Sequence, residues 1–297
     1  MPNPSVLLRG PGWKLPAPLE LAGPLEVRSV AADRPEELPA LLGWLDGVAS
    51  SGRPERLAAG FLTYEAGVAL EGSAGLFRPP ATPLAWFALF DVREARVARP
   101  GAETAGPGAF GSAGEMDAVA WAVAVEAIRQ GIARGDVYQA NLTRRTSRPL
   151  ALPARRLADL LWEENPVPYA ISVETGEAAV VSNSPELFLE ADLGTRRVAS
   201  APIKGTVPRL HGGSEEGARA ALLASEKDAA EHLMIVDLLR NDLGRVCEAG
   251  SVHVPALRSV KSFRHLHHLE STVAGRLRPG ARLSDLLAAT LPAGSIT

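Results

Sequence analysis

Apolar residues along the 297-residue chain fall into two rhythms. Met116, Val119, Val123, Ile128 and Ile132 recur at mostly helical spacing and Gly135 is a stop, so a helix is predicted over Met116–Arg134. Ser225–Leu243 is predicted as another, because Ser225 with Asp228 three residues on resembles a capping box and LMIVDLL follows. Its apolar residues surround the axis, which predicts burial on most sides. The Ala/Leu-rich Glu36–Val48 reads as a third helix, and Leu57–Leu70 is an apolar run around Tyr64 and Glu65. Strands are expected at Leu84–Phe90, Tyr169–Glu174, Ala178–Asn183, Leu187–Glu190, Arg197–Lys204, Val252–Val254 and His268–Leu277. Val137–Ser147 alternates Tyr138, Ala140 and Leu142 with Gln139, Asn141 and Thr143, the pattern of a strand with one polar face. Helices and antiparallel-looking strands mix without a βαβ rhythm, so the fold class is α+β, with antiparallel sheets packed against helices. Pro100–Gly114 is the best linker candidate and suggests two regions, 1–113 and 114–297.

Composition narrows the class. The chain is 46% hydrophobic and 22% charged, as soluble globular proteins are. A net charge of −3 argues against a nucleic-acid binder or a polybasic membrane binder. The best apolar run, Leu233–Leu239, is interrupted by Asp237 and is far too short to span a membrane. The opening MPNPSVLLRG lacks the basic and apolar segments of a signal peptide. The single cysteine, Cys247, excludes a disulfide framework and fits a reducing compartment. A cytoplasmic protein is expected.

Four groups of residues offer chemistry. Only four of the 31 cationic residues are lysines, and Lys204 sits among Pro, Gly and apolar neighbours in APIKGT. A dry setting favours the uncharged, nucleophilic form of an amine; taken alone, the residue reads first as a surface lysine at a strand end, a preference that the rarity of Lys narrows without reversing. Glu186, in SNSPELFL, follows a Pro turn and precedes an apolar strand. Partial burial would let it donate a proton, and a solvated turn carboxylate is its other reading. Asp228 and Glu231 share one helical face and offer hard oxygen ligands of the kind Mg²⁺ takes, or simply acids placed well near a helix N-terminus. His265, His267 and His268 match no zinc spacing, so at most one is catalytic. Neither a phosphate-binding Gly loop nor a GxSxG elbow is present.

A family resemblance assigns the chemistry. From Gly60 to Thr297 the chain resembles component I of the chorismate-utilising enzymes, which include anthranilate synthase, aminodeoxychorismate synthase and the isochorismate synthases. The motifs are GFLTYEAG (60–67), GDVYQANLTRR (135–145), NPVPYA (165–170), SNSPELFL (182–189), APIKGTVPR (201–209), KDAAEHLMIVDLLRNDLGRVC (227–247), HHLESTVAGRL (267–277) and PAGSIT (292–297). Lys204 in PIKGT, where anthranilate synthases resemble PIAGT, points to the aminodeoxychorismate branch. The resemblance implies amination of chorismate to 4-amino-4-deoxychorismate, on the p-aminobenzoate route to folate. Lys204 attacks chorismate C2, Glu186 protonates the departing C4 hydroxyl, and ammonia then adds at C4 and expels the lysine. Gly205 and Thr206 contact substrate, and His268 positions it. Glu231 binds Mg²⁺ with support from Asp228. Pro168, Tyr169 and Ala170 match a segment that contacts tryptophan in some relatives. A glutamine amidotransferase subunit is implied as the ammonia source, since Cys247 sits in no glutaminase context.

Some positions depart from the family. Leu187 stands where Arg is common and Ala293 where Gly is common. Relatives continue past GSIT into a segment with two more metal-binding glutamates, a substrate-binding arginine and tyrosine, and a glycine-rich carboxylate loop. The polypeptide is therefore expected to have little activity alone. The alternatives are anthranilate synthase component I, or a non-catalytic fragment that only binds a partner or ligand.

Overall fold

A computed structural model of the chain describes residues 3–98 apart from 73, 74 and 76, residues 113–150 apart from 115 and 148, and residues 152–294 apart from 211 and 212. Cα packing divides the chain into two compact units, Met1–Gly101 with Ala154–Pro292, and Ala102–Pro153 with Ala293–Thr297. The expected linker Pro100–Gly114 lies outside the described residues except for its last two.

The larger unit begins with β1 (Ser5–Arg9), β2 (Leu19–Ala22), β3 (Glu26–Val30), α1 (Leu38–Ala49), β4 (Arg56–Leu62), α2 (Tyr64–Leu70), β5 (Ala85–Asp91) and β6 (Arg96–Val97). The smaller unit contributes β7 (Ala113–Gly114), α3 (Ala118–Arg134) and β8 (Thr146–Ser147). The larger unit resumes with α4 (Ala154–Glu164), β9 (Tyr169–Glu174), β10 (Ala179–Ser184), β11 (Leu187–Asp192), β12 (Arg197–Ala201) and β13 (Ile203–Pro208). It ends with α5 (Glu215–Ala224), α6 (Glu226–Gly244), β14 (His253–Ser262), β15 (Leu266–Arg276) and α7 (Leu283–Thr290). Among the described residues no helix is long and apolar enough to cross a membrane.

Every strand pairing among the described residues is antiparallel. In the larger unit three sheets run β10-β9-β1-β2-β6, β3-β5-β4 and β11-β12-β15-β13, with β14 on the other edge of β15. The α+β class is therefore correct. β15 alternates without a break: His267, Leu269, Ser271, Val273 and Gly275 are buried, and the residues between them are half-buried. Its buried Val273 joins Val198, Ile235, Val236, Leu239, Leu243 and Leu277 in one core under α6. Each such side chain contributes about 1.5–3 kcal/mol of apolar burial.

Local signals explain the helix ends. Asp117 accepts the Ala120 N–H at 2.8 Å to start α3, and Gly135 closes it in the left-handed region at φ 81°. Ser225 accepts the Asp228 N–H at 3.2 Å and starts α6. The apolar run Leu57–Leu70 divides at Thr63 into β4 and α2. Three expectations need correction. Val137–Ser147 forms a strand only at Thr146–Ser147, and residues 137–145 are irregular. Arg197–Lys204 is two strands parted at Pro202, which has no N–H to give a ladder. α6 is not wrapped in core: His232, Ile235, Val236, Leu239 and Leu243 form one buried stripe, and Leu233 is 58% exposed on the other side.

Candidate active site

β12 and β13 keep one register along β15, from Ser200↔Val273 through Ile203↔Glu270 to Lys204↔Leu269. Pro202 interrupts the ladder without ending it, because its carbonyl accepts the Ser271 N–H at 3.1 Å. Beyond Lys204 the register slips by one, and Thr206 pairs with His268. Gly205 is the extra residue of this β-bulge, at φ 85°. A Cβ there would stand 3.2 Å from the Cβ of Asp228 and from Leu222 Cδ1. Glycine thus lets the strand approach the first turn of α6, and Asp228 lies directly against the bulge.

Six of the expected residues gather at this point: Glu186, Lys204, Gly205, Thr206, Asp228 and His268. Glu186 precedes β11, which meets the partner strand at Leu187↔Ala201. One carboxylate oxygen accepts the Ile203 N–H at 2.9 Å, next to Lys204. The residue as a whole is exposed, but its carboxyl end is drawn in against the start of β13. Loss of water raises the Glu186 pKa; the Ile203 N–H and the Lys204 charge oppose the rise, and the Glu270 charge adds to it. On the far side of the bulge, Thr206 Oγ1 and His268 Nδ1 lie 2.8 Å apart, and the same nitrogen is 3.4 Å from the Gly205 carbonyl. Desolvation lowers the His268 pKa, with the Gly205 carbonyl pulling the other way.

Sequence reasoning missed one further residue. His232, 1% exposed on α6, has Nδ1 3.3 Å from the Lys204 carbonyl and Nε2 2.6 Å from Ser271 Oγ. Ser271 Oγ in turn accepts the Arg258 N–H at 2.9 Å. A carbonyl only accepts, so Nδ1 carries the ring proton and donates, and Nε2 accepts the Ser271 hydroxyl. Burial lowers the His232 pKa, in keeping with this neutral form. A histidine inside an apolar helical stripe was the available signal, but such a residue usually only satisfies a core.

Other expected residues have different surroundings. Glu231 lies on α6 one turn past Asp228 and one residue before His232. Their oxygens are the right kind for Mg²⁺, but among the described residues no group of three or more His, Cys, Asp or Glu could hold a metal ion. The two carboxylates therefore do not complete a magnesium site by themselves. Pro168, Tyr169 and Ala170 meet the chain's own Gly12 and Trp13. Gly12 N–H donates to Pro168 O at 3.0 Å, Trp13 Nε1 donates to Ala170 O at 3.1 Å, and the Trp13 and Tyr169 rings meet edge to face at 5.6 Å. Cys247 is buried at the end of α6, and burial raises its thiol pKa, the setting of an inert thiol.

The chain is similar to known proteins. Residues 92–297 match the family described as chorismate binding enzyme. The chain is 44% identical to aminodeoxychorismate synthase component 1 of Klebsiella aerogenes, over 55% of this chain and 36% of that protein. It is 40% identical to anthranilate synthase component 1 of Methanothermobacter marburgensis, over 57% of this chain and 36% of the relative. It thus spans little more than a third of the length of these curated relatives. The fold is that of the crystal structure of anthranilate synthase component I from Streptococcus pneumoniae, with a TM-score of 0.75 at 23% identity over 100% of this chain and 74% of the other.

Proposed function

The chain belongs to the chorismate binding enzyme family, and on that premise we propose that it serves the amination of chorismate to 4-amino-4-deoxychorismate. The observation that carries the reading is the Glu186–Ile203 contact, which puts a carboxyl with a raised pKa beside the Lys204 strand. A carboxyl of this kind keeps its proton to higher pH than an ordinary glutamate and can protonate a leaving hydroxyl.

The Lys204 amine forms a bond to chorismate C2, both ring double bonds shift by one position, and the C4 hydroxyl leaves as water with the Glu186 proton. Ammonia then bonds to C4, both double bonds shift back, and Lys204 departs from C2 as the free amine. The Glu186 carboxylate recovers a proton from the new ammonium group. Chorismate and ammonia become aminodeoxychorismate and water, so atoms and charge balance. Thr206 and the bulge at Gly205 contact the substrate, and His268, tied to Thr206, orients it. Asp228 and Glu231 supply two oxygen donors toward Mg²⁺, which when bound would neutralise a substrate carboxylate. Ammonia comes from a glutamine amidotransferase subunit, a reading supported by the component 1 names of the relatives.

Product identity tests the proposal. The chain alone is expected to turn over little, but whatever product the purified protein forms from chorismate, Mg²⁺ and ammonium should be aminodeoxychorismate, resolved by mass spectrometry, and Lys204→Ala should abolish it. Formation of anthranilate would assign the chain to the other named branch. Turnover that survives Lys204→Ala would remove the covalent step.

A further inference from the structure

We infer that Phe263, at the turn between β14 and β15, is a positioning residue for His268: its ring walls the imidazole from the β14 side while Thr206 holds it from the β13 side. The inference rests on the reading of His268 as the residue that orients the substrate.

β15 runs between β13 and β14, so His268 has a neighbour on each flank, Thr206 on β13 and Lys261 on β14. Thr206 Oγ1 meets one ring atom, Nδ1, at 2.8 Å. A contact at one atom leaves the ring room to swing, because the outer torsion of a histidine has broad wells. Phe263 stands two residues beyond Lys261, on the same face of the hairpin, and reaches back diagonally. The two rings meet near edge to face, with centroids 5.5 Å apart and planes at 68°. The imidazole is thereby gripped at an atom on one flank and by a ring on the other. Burial lowers the His268 pKa, in keeping with a ring walled from water.

The wall is itself anchored. The Phe263 N–H donates to Leu266 O at 2.9 Å and closes a two-residue turn made of Arg264 and His265. Arg264 Nη1 donates to Glu163 O and to Glu164 O, each at 2.9 Å. These are the last carbonyls of α4, where a helix leaves acceptors open and favours a cation. His265 Nε2 lies 3.3 Å from the same Glu164 carbonyl, and the Arg209 N–H donates to His265 O at 3.0 Å. The turn is thus tied to α4 and to the residue that follows β13. Core packing does not account for Phe263, which is half-buried and belongs to none of the apolar clusters among the described residues.

Relaxation of ¹³C at the His268 ring carbons tests the role without turnover. In wild type the ring should be as rigid as the β15 backbone. Phe263→Leu keeps apolar bulk without a flat ring, and should raise the population of swung imidazoles by roughly two- to tenfold, the scale of one aromatic pair. Phe263→Tyr keeps the ring and should keep His268 rigid. Arg264→Met removes the anchor on α4 and should loosen His268 in the same direction as Phe263→Leu. If Phe263 only shielded the site from water, Thr206 alone would hold the imidazole in every variant. A rigid His268 in folded Phe263→Leu or Arg264→Met, or equal mobility in Phe263→Tyr and Phe263→Leu, overturns the inference. Should the Leu and Met substitutions prevent folding, wild type decides. A rigid imidazole with nuclear Overhauser contacts to the Phe263 ring sustains the inference, and a mobile one, or no such contact, overturns it. If the wild-type product is anthranilate, the amination reading fails while a rigid His268 leaves the wall standing.

Discussion

Glu186 accepts the N–H of Ile203, the residue that precedes Lys204 in β13. The proposed acid is thereby referenced to the backbone of the proposed nucleophile, with no ion pair between their side chains needed to bring them together. Glu186→Gln keeps an oxygen for the Ile203 N–H and removes the transferable proton. Amination should fall by about 10²–10⁴-fold, the usual worth of a general acid. Binding of chorismate, followed by fluorescence quenching, should change little. A variant that retains normal turnover rules out the acid role.

The same carboxyl has a signature in stability. Its folded pKa lies above the ordinary glutamate value, so the folded state holds the proton more tightly than the unfolded one. The contribution is complete below the unfolded value of about 4.3 and is lost as pH rises through the folded one. The melting temperature of wild type minus that of Glu186→Gln should therefore fall as pH climbs out of the acid range. A difference that stays flat, or grows, would show that the carboxyl is not held protonated.

Gly205 is required by conformation and by space together. At φ 85° any L-residue other than Gly is strained by about 1–2 kcal/mol. Its new Cβ would also press on Asp228 and Leu222, each at 3.2 Å. Gly205→Ala should lower the urea midpoint by at least the conformational cost, and should separate β13 from α6 enough to impair amination. A variant as stable as wild type would mean that the bulge relaxes freely.

Local signals made much of this legible before any coordinates. The end of α3 and the start of α6 follow from Gly135 and Ser225, which act within a few residues, whereas the Asp117 cap of α3 was not read. The strand from Tyr169 to Glu174 was visible because its apolar run ends at turn residues on both sides. The pairing of Ile203 with Glu270 joins segments more than sixty residues apart and leaves no periodic trace. For that reason the Glu186–Ile203 contact and the approach of His232 to the Lys204 carbonyl were hidden. Residues 137–145 misled in the other direction: alternation shows that a segment can form a strand, but a strand also needs a partner edge.

Arg9 and Asp159 form a buried ion pair between β1 and α4, with side chains 6% and 0% exposed. Arg155 approaches the same carboxylate at 3.5 Å and Glu20 at 3.3 Å. Removing one partner leaves an inadequately compensated buried charge, which typically costs 3–5 kcal/mol, so Arg9→Met should destabilise by about that much. The double variant Arg9→Met/Asp159→Leu removes both charges and should recover most of the loss. Guanidinium denaturation of the two proteins makes the comparison. Equal losses in the single and double variants would show that packing, rather than uncompensated charge, sets the cost.

Trp13 gives the last expectation. Its indole N–H donates to the Ala170 carbonyl, and its ring meets Tyr169 edge-on, so the Pro168–Ala170 segment already holds an indole belonging to the chain. The fit is close: a Cβ on Gly12 would fall 2.3 Å from a Tyr169 ring carbon, and one on Gly10 would fall 2.3 Å from the Pro168 carbonyl oxygen. A free tryptophan would have to displace Trp13 and break a formed hydrogen bond to reach the same carbonyl. Millimolar L-tryptophan should therefore leave the melting temperature unchanged, since a ligand raises stability only by binding the folded state. A rise of several degrees in wild type would show that Trp13 yields its place.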